Sequence, residues 1–141
     1  MIKKYIHARY RDGARGEGGE YDCWGMTRAA RTEMYGRSML GDCAGEYQKD
    51  PVGFTRHYAE QTANRLRQVD TPAPGVVVAV LRGRLCTHVA LVVHDIHARG
   101  TGLQVLDINP GAQARLQPLY WFLEQNKGRV VKYYDDKDLS E

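Results

Sequence analysis

Cys23 stands in the run Tyr21-Asp22-Cys23-Trp24-Gly25, where a glycine-rich segment gives way to a helical pattern. Residues 13–19 read Gly-Ala-Arg-Gly-Glu-Gly-Gly, which cannot continue a regular element. From Trp24 onward, Trp24, Ala29, Ala30 and Met34 fall near one side of a helix, and Gly36 is placed to end it. Cys23 is therefore expected at a helix N-terminus. Unpaired backbone N–H groups and the positive end of the helix dipole favour an anion there. A thiol in such a setting is more acidic than the free side chain, so the chemistry on offer is that of a thiolate nucleophile. The alternative is an inert cysteine packed like a small hydrophobe.

A thiolate that opens an amide needs a partner to hold the thiol proton and return it to the leaving amine. Residues 75–93 contain two apolar, β-rich runs around Arg82-Gly83-Arg84, a hairpin pattern, and His88 opens the second run. A third run, Leu103 to Ile108, is closed by Pro110-Gly111. Asp107 and Asn109 interrupt it and share a face with Val105 by strand alternation. Either could orient the imidazole as the third member of a triad. Either could equally begin the turn before Pro110.

These side chains need a scaffold, and the remaining sequence describes one. Residues 41–53 read as a loop. Phe54, Tyr58, Thr62, Leu66 and Val69 then fall near helical spacing, giving an amphipathic helix over 54–69. Asp70-Thr71-Pro72-Ala73-Pro74 breaks it and leads into the sheet. A strand is expected at 129–134, and the tail Asp135-Asp136-Lys137-Asp138 reads as charged and frayed. Helices followed by antiparallel strands give an α+β class in one domain, 1–141. With 141 residues, 43% of them hydrophobic, the chain can bury a core without staples. No run approaches the roughly 20 apolar residues of a membrane span, and the basic N-terminus lacks the apolar core of a secretory signal. The net charge of +3 is modest, and no basic stripe interleaved with aromatics points to nucleic acid. Three cysteines, at 23, 43 and 86, form no closely spaced pair, which argues against zinc. Cys43 and Cys86 read as reduced packing residues, and His94 and His97 as residues of a solvated loop.

The chain resembles the NlpC-type cysteine peptidases of bacterial cell walls, above all the short versions encoded among phage tail genes. The landmarks are Tyr21-Asp22-Cys23-Trp24-Gly25-Met26, Cys43-Ala44-Gly45-Glu46-Tyr47 and Pro74-Gly75-Val76-Val77. They continue with Thr87-His88-Val89-Ala90-Leu91-Val92-Val93 and Leu106-Asp107, in the family's order along nearly the whole chain. The resemblance also implies a strand at 113–119. The resemblance implies a papain-like fold, with an N-terminal nucleophile helix packed on a mainly antiparallel sheet. It implies Cys23 as nucleophile and His88 as general base. Asp107 takes the third polar position, where the family often has histidine. On the substrate side it implies Asp22 at the free amino group of a stem peptide and Tyr10 lining the same subsite. Trp24 stands beside them, where many cell-wall members have serine.

The activity so implied is a phage tail-associated endopeptidase, with no cofactor or metal. It cleaves peptidoglycan stem peptides, at a γ-D-glutamyl bond to a diamino acid. The implied partners are tail or baseplate proteins, and the implied location is the virion tail. A catalytically silent tail component and a thiol-dependent acyltransferase remain as alternative readings of the same residues.

Overall fold

A computed structural model describes residues 2–42, 49–94 and 102–137. The landmark 43–47, and with it Cys43, lies outside the described residues, as do His97 and Asp138. The chain opens with a short helix α1 (Ile2–Ile6) and strand β1 (Arg9–Tyr10). A 3-10 turn (Glu17–Gly19) and strand β2 (Glu20–Tyr21) lead into helix α2 (Cys23–Tyr35). Helix α3 (Pro51–Asn64) precedes strands β3 (Leu66–Val69), β4 (Val77–Arg82), β5 (Leu85–His94), β6 (Leu103–Asp107) and β7 (Arg115–Pro118). Helix α4 (Leu119–Gln125) and strand β8 (Val130–Asp136) complete it.

The class is α+β. Six strands form an antiparallel sheet in the order β3-β8-β4-β5-β6-β7. Its central strands are buried on both faces, which is why β4 and β5 read as nearly continuous apolar runs. Val77, Ala79, Val89, Leu91 and Val93 join Trp24, Met26, Ala30 and Phe54 in one core cluster, beneath α2 and α3. Val78, Val80, Ala90, Val92 and Val105 form a second with Phe122 of α4. Among the described residues, no helix is long and apolar enough to cross a membrane.

The hairpin at Arg82-Gly83-Arg84 and the end of α2 at Gly36 follow the sequence. Gly36 adopts φ 65°, and its N–H caps the carbonyls of Arg31 and Thr32. The helix expected over 54–69 differs at both ends. It begins at Pro51, because the Asp50 side chain accepts a hydrogen bond from Gly53 N at 2.9 Å and Pro51 fits the first turn. It ends at Asn64, and Leu66–Val69 instead pair with β8. Leu66 and Val69 continue the helical spacing by coincidence, and long-range pairing overrides it.

The C-terminal expectations change too. The strand over 113–119 is confined to Arg115–Pro118, and α4 starts at Leu119. His94 is the last residue of β5 rather than part of a loop, and its Nδ1 lies 2.8 Å from the Tyr35 hydroxyl. Asp135 and Asp136 are not a frayed tail. They are 7% and 9% exposed within β8. Arg31, fully buried in α2, bonds Asp136 Oδ1 at 2.8 Å and lies 3.6 Å from Asp135. Arg37 Nε meets Asp135 Oδ1 at 2.8 Å. Burial tends to raise the Asp136 carboxyl. Its bonds to the Ser38 N–H and Arg31, with the Arg31 charge, prevail and hold it below the usual range.

This ion-pair cluster ties the end of the Cys23 helix to the sheet. Arg31→Ala removes the shared cation and leaves two shielded carboxylates poorly compensated. A loss of about 3–5 kcal/mol in urea unfolding is expected. A loss below about 1 kcal/mol, the range of exposed pairs, would show the cluster to be solvated.

Candidate active site

Each residue of the Asp22-to-Gly25 run has a separate physical task. Asp22 is the N-cap of α2, and its Oδ1 accepts from Gly25 N at 2.7 Å. The same oxygen meets Arg15 Nη1 at 2.8 Å, while Oδ2 accepts from Gly13 N at 3.0 Å. Asp22 N donates to Ala14 O at 3.2 Å, so the glycine-rich loop is folded back over the helix start. Gly25 is required by that fold, because a Cβ there would sit 2.5 Å from Ala14 O. Cys23 is thereby fixed as the first residue of α2, and it is 5% exposed.

His88 approaches from the sheet. The β5–β6 pairing runs from His94↔Leu103 to Leu91↔Leu106. His88 lies beyond its end, where β5 is paired with β4 through Val80. A bulge between Val80 and Leu81 leaves Thr87 without a partner in that register and turns the strand beside the histidine. The His88 ring stacks on Phe122, with centroids 6.2 Å apart and planes at 28°. Its Nε2 lies 3.1 Å from Asp107 Oδ2, and Cys23 is one of the neighbours that raise its pKa. With Nε2 engaged by Asp107, Nδ1 is the nitrogen left to face the thiol.

Asp107 is 2% exposed. Its Oδ1 accepts from Arg115 Nε at 2.8 Å, and Oδ2 takes a longer contact of 3.3 Å from Arg115 Nη2. Burial alone would raise this carboxyl. The bonds to His88 and Arg115, with their charges, hold it below the usual carboxylate range. Asn109 reaches Asp107 Oδ2 at 3.5 Å, so its contact is with the acid. For His88, burial pulls the pKa down. The hydrogen bonds to Asp107 and Cys23, and the charges of both, outweigh it and raise the value to about 9.

Thus Cys23, His88 and Asp107 come together from α2, β5 and β6. The expected substrate side is arranged differently. The Asp22 carboxylate is 2% exposed and taken up by Gly25, Gly13 and Arg15, which makes it a cap and loop anchor rather than an open acceptor for an amine. Trp24 is 2% exposed, its Nε1 donating to Gly41 O at 3.0 Å and its ring edge-on to Phe54. It is a core residue, because the second position of this helix turns inward onto α3. Tyr10 remains on the Cys23 side, half-buried, its hydroxyl donating to Asp12 Oδ1 at 2.8 Å. Burial, that bond and the charge of Cys23 all make its proton harder to remove.

Arg115 and Phe122 escape the sequence reading. Asp107 and Arg115 are direct cross-strand partners about the Pro110-Gly111 turn, so hairpin register was the signal for the first. The second had none, since α4 reaches the ring only through tertiary packing. Among the described residues, no group of three or more His, Cys, Asp or Glu is placed to hold a metal ion. No protein-family model, curated protein or solved structure matches the chain.

The raised His88 value has a definite consequence. Relative to the ordinary 6.5, the folded state holds the imidazolium proton more tightly. Its contribution to stability is complete below pH 6.5 and is lost as pH rises through about 9. An NMR titration of His88 is expected to have its midpoint near 9. Asp107→Ala and Cys23→Ala should each lower that midpoint, since each removes a favourable partner of the imidazolium. A midpoint at 6.5 in the unsubstituted protein would show that these partners do not act on the ring.

Proposed function

We propose that this protein is a cysteine peptidase acting on peptidoglycan stem peptides. The observation that carries the reading is the continuous chain Cys23–His88–Asp107–Arg115, with the cysteine first in a capped helix. A packing cysteine needs neither a neighbouring imidazole nor a buried carboxylate behind it. The papain-like architecture belongs to the same reading, which a helix start facing a sheet-borne histidine supports.

In the reaction, the Cys23 thiolate attacks the scissile carbonyl carbon and a C–S bond forms. The carbonyl electrons move onto oxygen, with the unpaired N–H groups at the start of α2 as candidate donors to the oxyanion. Collapse of the adduct breaks the C–N bond, and the His88 imidazolium gives its proton to the departing amine. The neutral imidazole then deprotonates a water, which attacks the thioester. The product leaves as a carboxylic acid and the sulfur returns as thiolate, with the proton on His88. Asp107 keeps the ring in one tautomer and compensates its charge in both half-reactions. Substrate class comes from the resemblance to NlpC-type peptidases, which names the γ-D-glutamyl–diamino acid bond. Tyr10, near the sulfur, is the remaining candidate to border that peptide.

Purified protein incubated with peptidoglycan fragments should release new amino termini, and Cys23→Ala should abolish this. Asp107→Ala is expected to lower kcat by roughly 10²–10⁴-fold, the scale set by a misoriented imidazole, and Asn109→Ala by much less. Equal losses would move the orienting role to Asn109. Cys23-dependent acyl transfer to an added amine, without hydrolysis, would identify an acyltransferase. No turnover with an intact fold would identify a silent structural component.

The setting that the resemblance implies is a phage tail, with this chain loosening the wall during genome entry. Tyr120 and Trp121 are 68% and 52% exposed on α4 and offer a surface for attachment to tail or baseplate proteins. Mass spectrometry of purified particles should detect the chain. Its absence from tails and assembly intermediates, alongside activity as a free enzyme, would remove the virion from the proposal.

A further inference from the structure

Behind the imidazole lies a second polar space that the reaction steps do not use. It is a cleft of ≈ 350 Å3 bordered by His88, Asp107, Asn109, Arg115, Gln125 and Arg129, among others. His88, the ring that serves the leaving amine in the proposed reaction, forms one wall of it. A group attached to that amine can reach the cleft past His88.

The charges of this cleft are unequal. Asp107 is the carboxylate in its lining, and it is already shared between His88 and Arg115. Arg115 divides its guanidinium between Asp107 and Gln125, the latter at 3.1 Å. Arg129 is exposed, and no ion pair to a carboxylate engages it among the described residues. Counting His88 as imidazolium, three cations face one anion. A cationic concavity with a guanidinium that no carboxylate engages among the described residues suits a planar anion that can accept two parallel N–H bonds.

The position of Arg129 is built rather than incidental. It closes a tight turn, its N–H donating to Asn126 O at 3.0 Å, and Gly128 supplies the φ of 90°. Asn126 is in turn bonded to Phe122 O through its side chain at 2.8 Å. Phe122 is the residue stacked on His88. The turn carrying the free cation and the catalytic ring are thus fixed to the same short helix.

We infer that this cleft binds a carboxylate on the leaving-amine side of the scissile bond, with Arg129 as the residue that selects for it. This rests on the peptidase reading above and refines it: the preferred substrate carries a free carboxylate on the amino acid that departs. A diamino acid with that carboxylate converted to an amide is the disfavoured counterpart. Arg115 assists through its charge while holding Asp107, and Arg129 supplies the direct contact.

The test uses the tripeptide alanyl-γ-glutamyl-diaminopimelate and its analogue amidated on the diaminopimelate. Binding of each to Cys23→Ala protein is measured by NMR titration, and cleavage of each by unsubstituted protein is followed separately. The acid should bind about tenfold more tightly than the amide, the scale of one charge-assisted hydrogen bond. Arg129→Gln should bring the ratio near one, and Arg129→Lys should retain part of it. Because Arg129 is exposed, both variants are expected to fold, and unchanged amide spectra elsewhere would verify this. Equal binding of acid and amide, or a preference that survives Arg129→Gln, overturns the inference. Cleavage of both peptides without preference overturns it while leaving the peptidase reading intact. Carboxylate-dependent binding without any cleavage upholds the site and overturns the peptidase reading instead. Neither binding nor cleavage overturns both.

Discussion

Asp107 carries a full negative charge at a place almost closed to water, and the surrounding arrangement compensates it. An ionised carboxylate in such a position is tolerated only with good partners. Arg115 supplies one cation and protonated His88 the other. The carboxylate therefore does more than aim a ring. It makes the imidazolium the favoured form. Ring and acid form one coupled pair, so protonation of either is felt by the other. The excess of positive charge in the cleft behind the ring has the same origin, since Asp107 is already shared when a ligand arrives.

Asp22 uses the same physics at the other end of the site. It too is a buried carboxylate, but its partners are Arg15 and the N–H groups of Gly13 and Gly25. Its work is mechanical: it pins the loop to the start of α2 and leaves Cys23 as the first helical residue. The far end of α2 is pinned by Arg31 and Arg37 to Asp135 and Asp136. A helix held by charge at both ends, with Trp24 and Met26 packed between, has little freedom to translate along the sheet. That restraint matters because a hydrogen bond between sulfur and imidazole tolerates only a few tenths of an ångström before it weakens.

The parts legible in the sequence are those set by local chemistry. The helix start at Cys23, its end at Gly36 and the hairpin at Gly83 each depend on a few adjacent residues, and the pattern of those residues was enough. The convergence of His88 and Asp107 was legible because the hairpin and the following strand can pair in few ways. What escaped was decided at long range. Leu66 and Val69 continue a helical repeat yet pair with β8, because backbone donors on that strand needed a partner. Asp135 and Asp136 look like tail charges until Arg31, distant in sequence, is brought beneath them. Trp24 follows Cys23 directly, and the resemblance implies a place for it on the substrate side. A helix turns about 100° per residue, so the neighbour of a residue on the open side can point wholly into the core.

The same geometry bears on where specificity resides. On the Cys23 side the nearest carboxylate, Asp22, is enclosed by its own hydrogen bonds, so removing it would unfold the helix start before revealing a binding role. Specificity is better placed on residues whose loss leaves the nucleophile where it is. Tyr10 on the sulfur side and Arg129 on the imidazole side meet that condition. The first is half-buried on a two-residue strand, the second exposed at a turn. Neither caps a helix nor fills the core. On the proposed peptidase reading, rigid buried charges define the reacting centre while more exposed side chains at its two flanks distinguish one peptide from another. This division also explains why Asp107 and Arg129, both bordering one cleft, should respond differently to substitution. Loss of the acid changes the protonation of the ring for every substrate. On the proposed reading, loss of the exposed cation changes only the ratio between substrates that do and do not carry the matching anion.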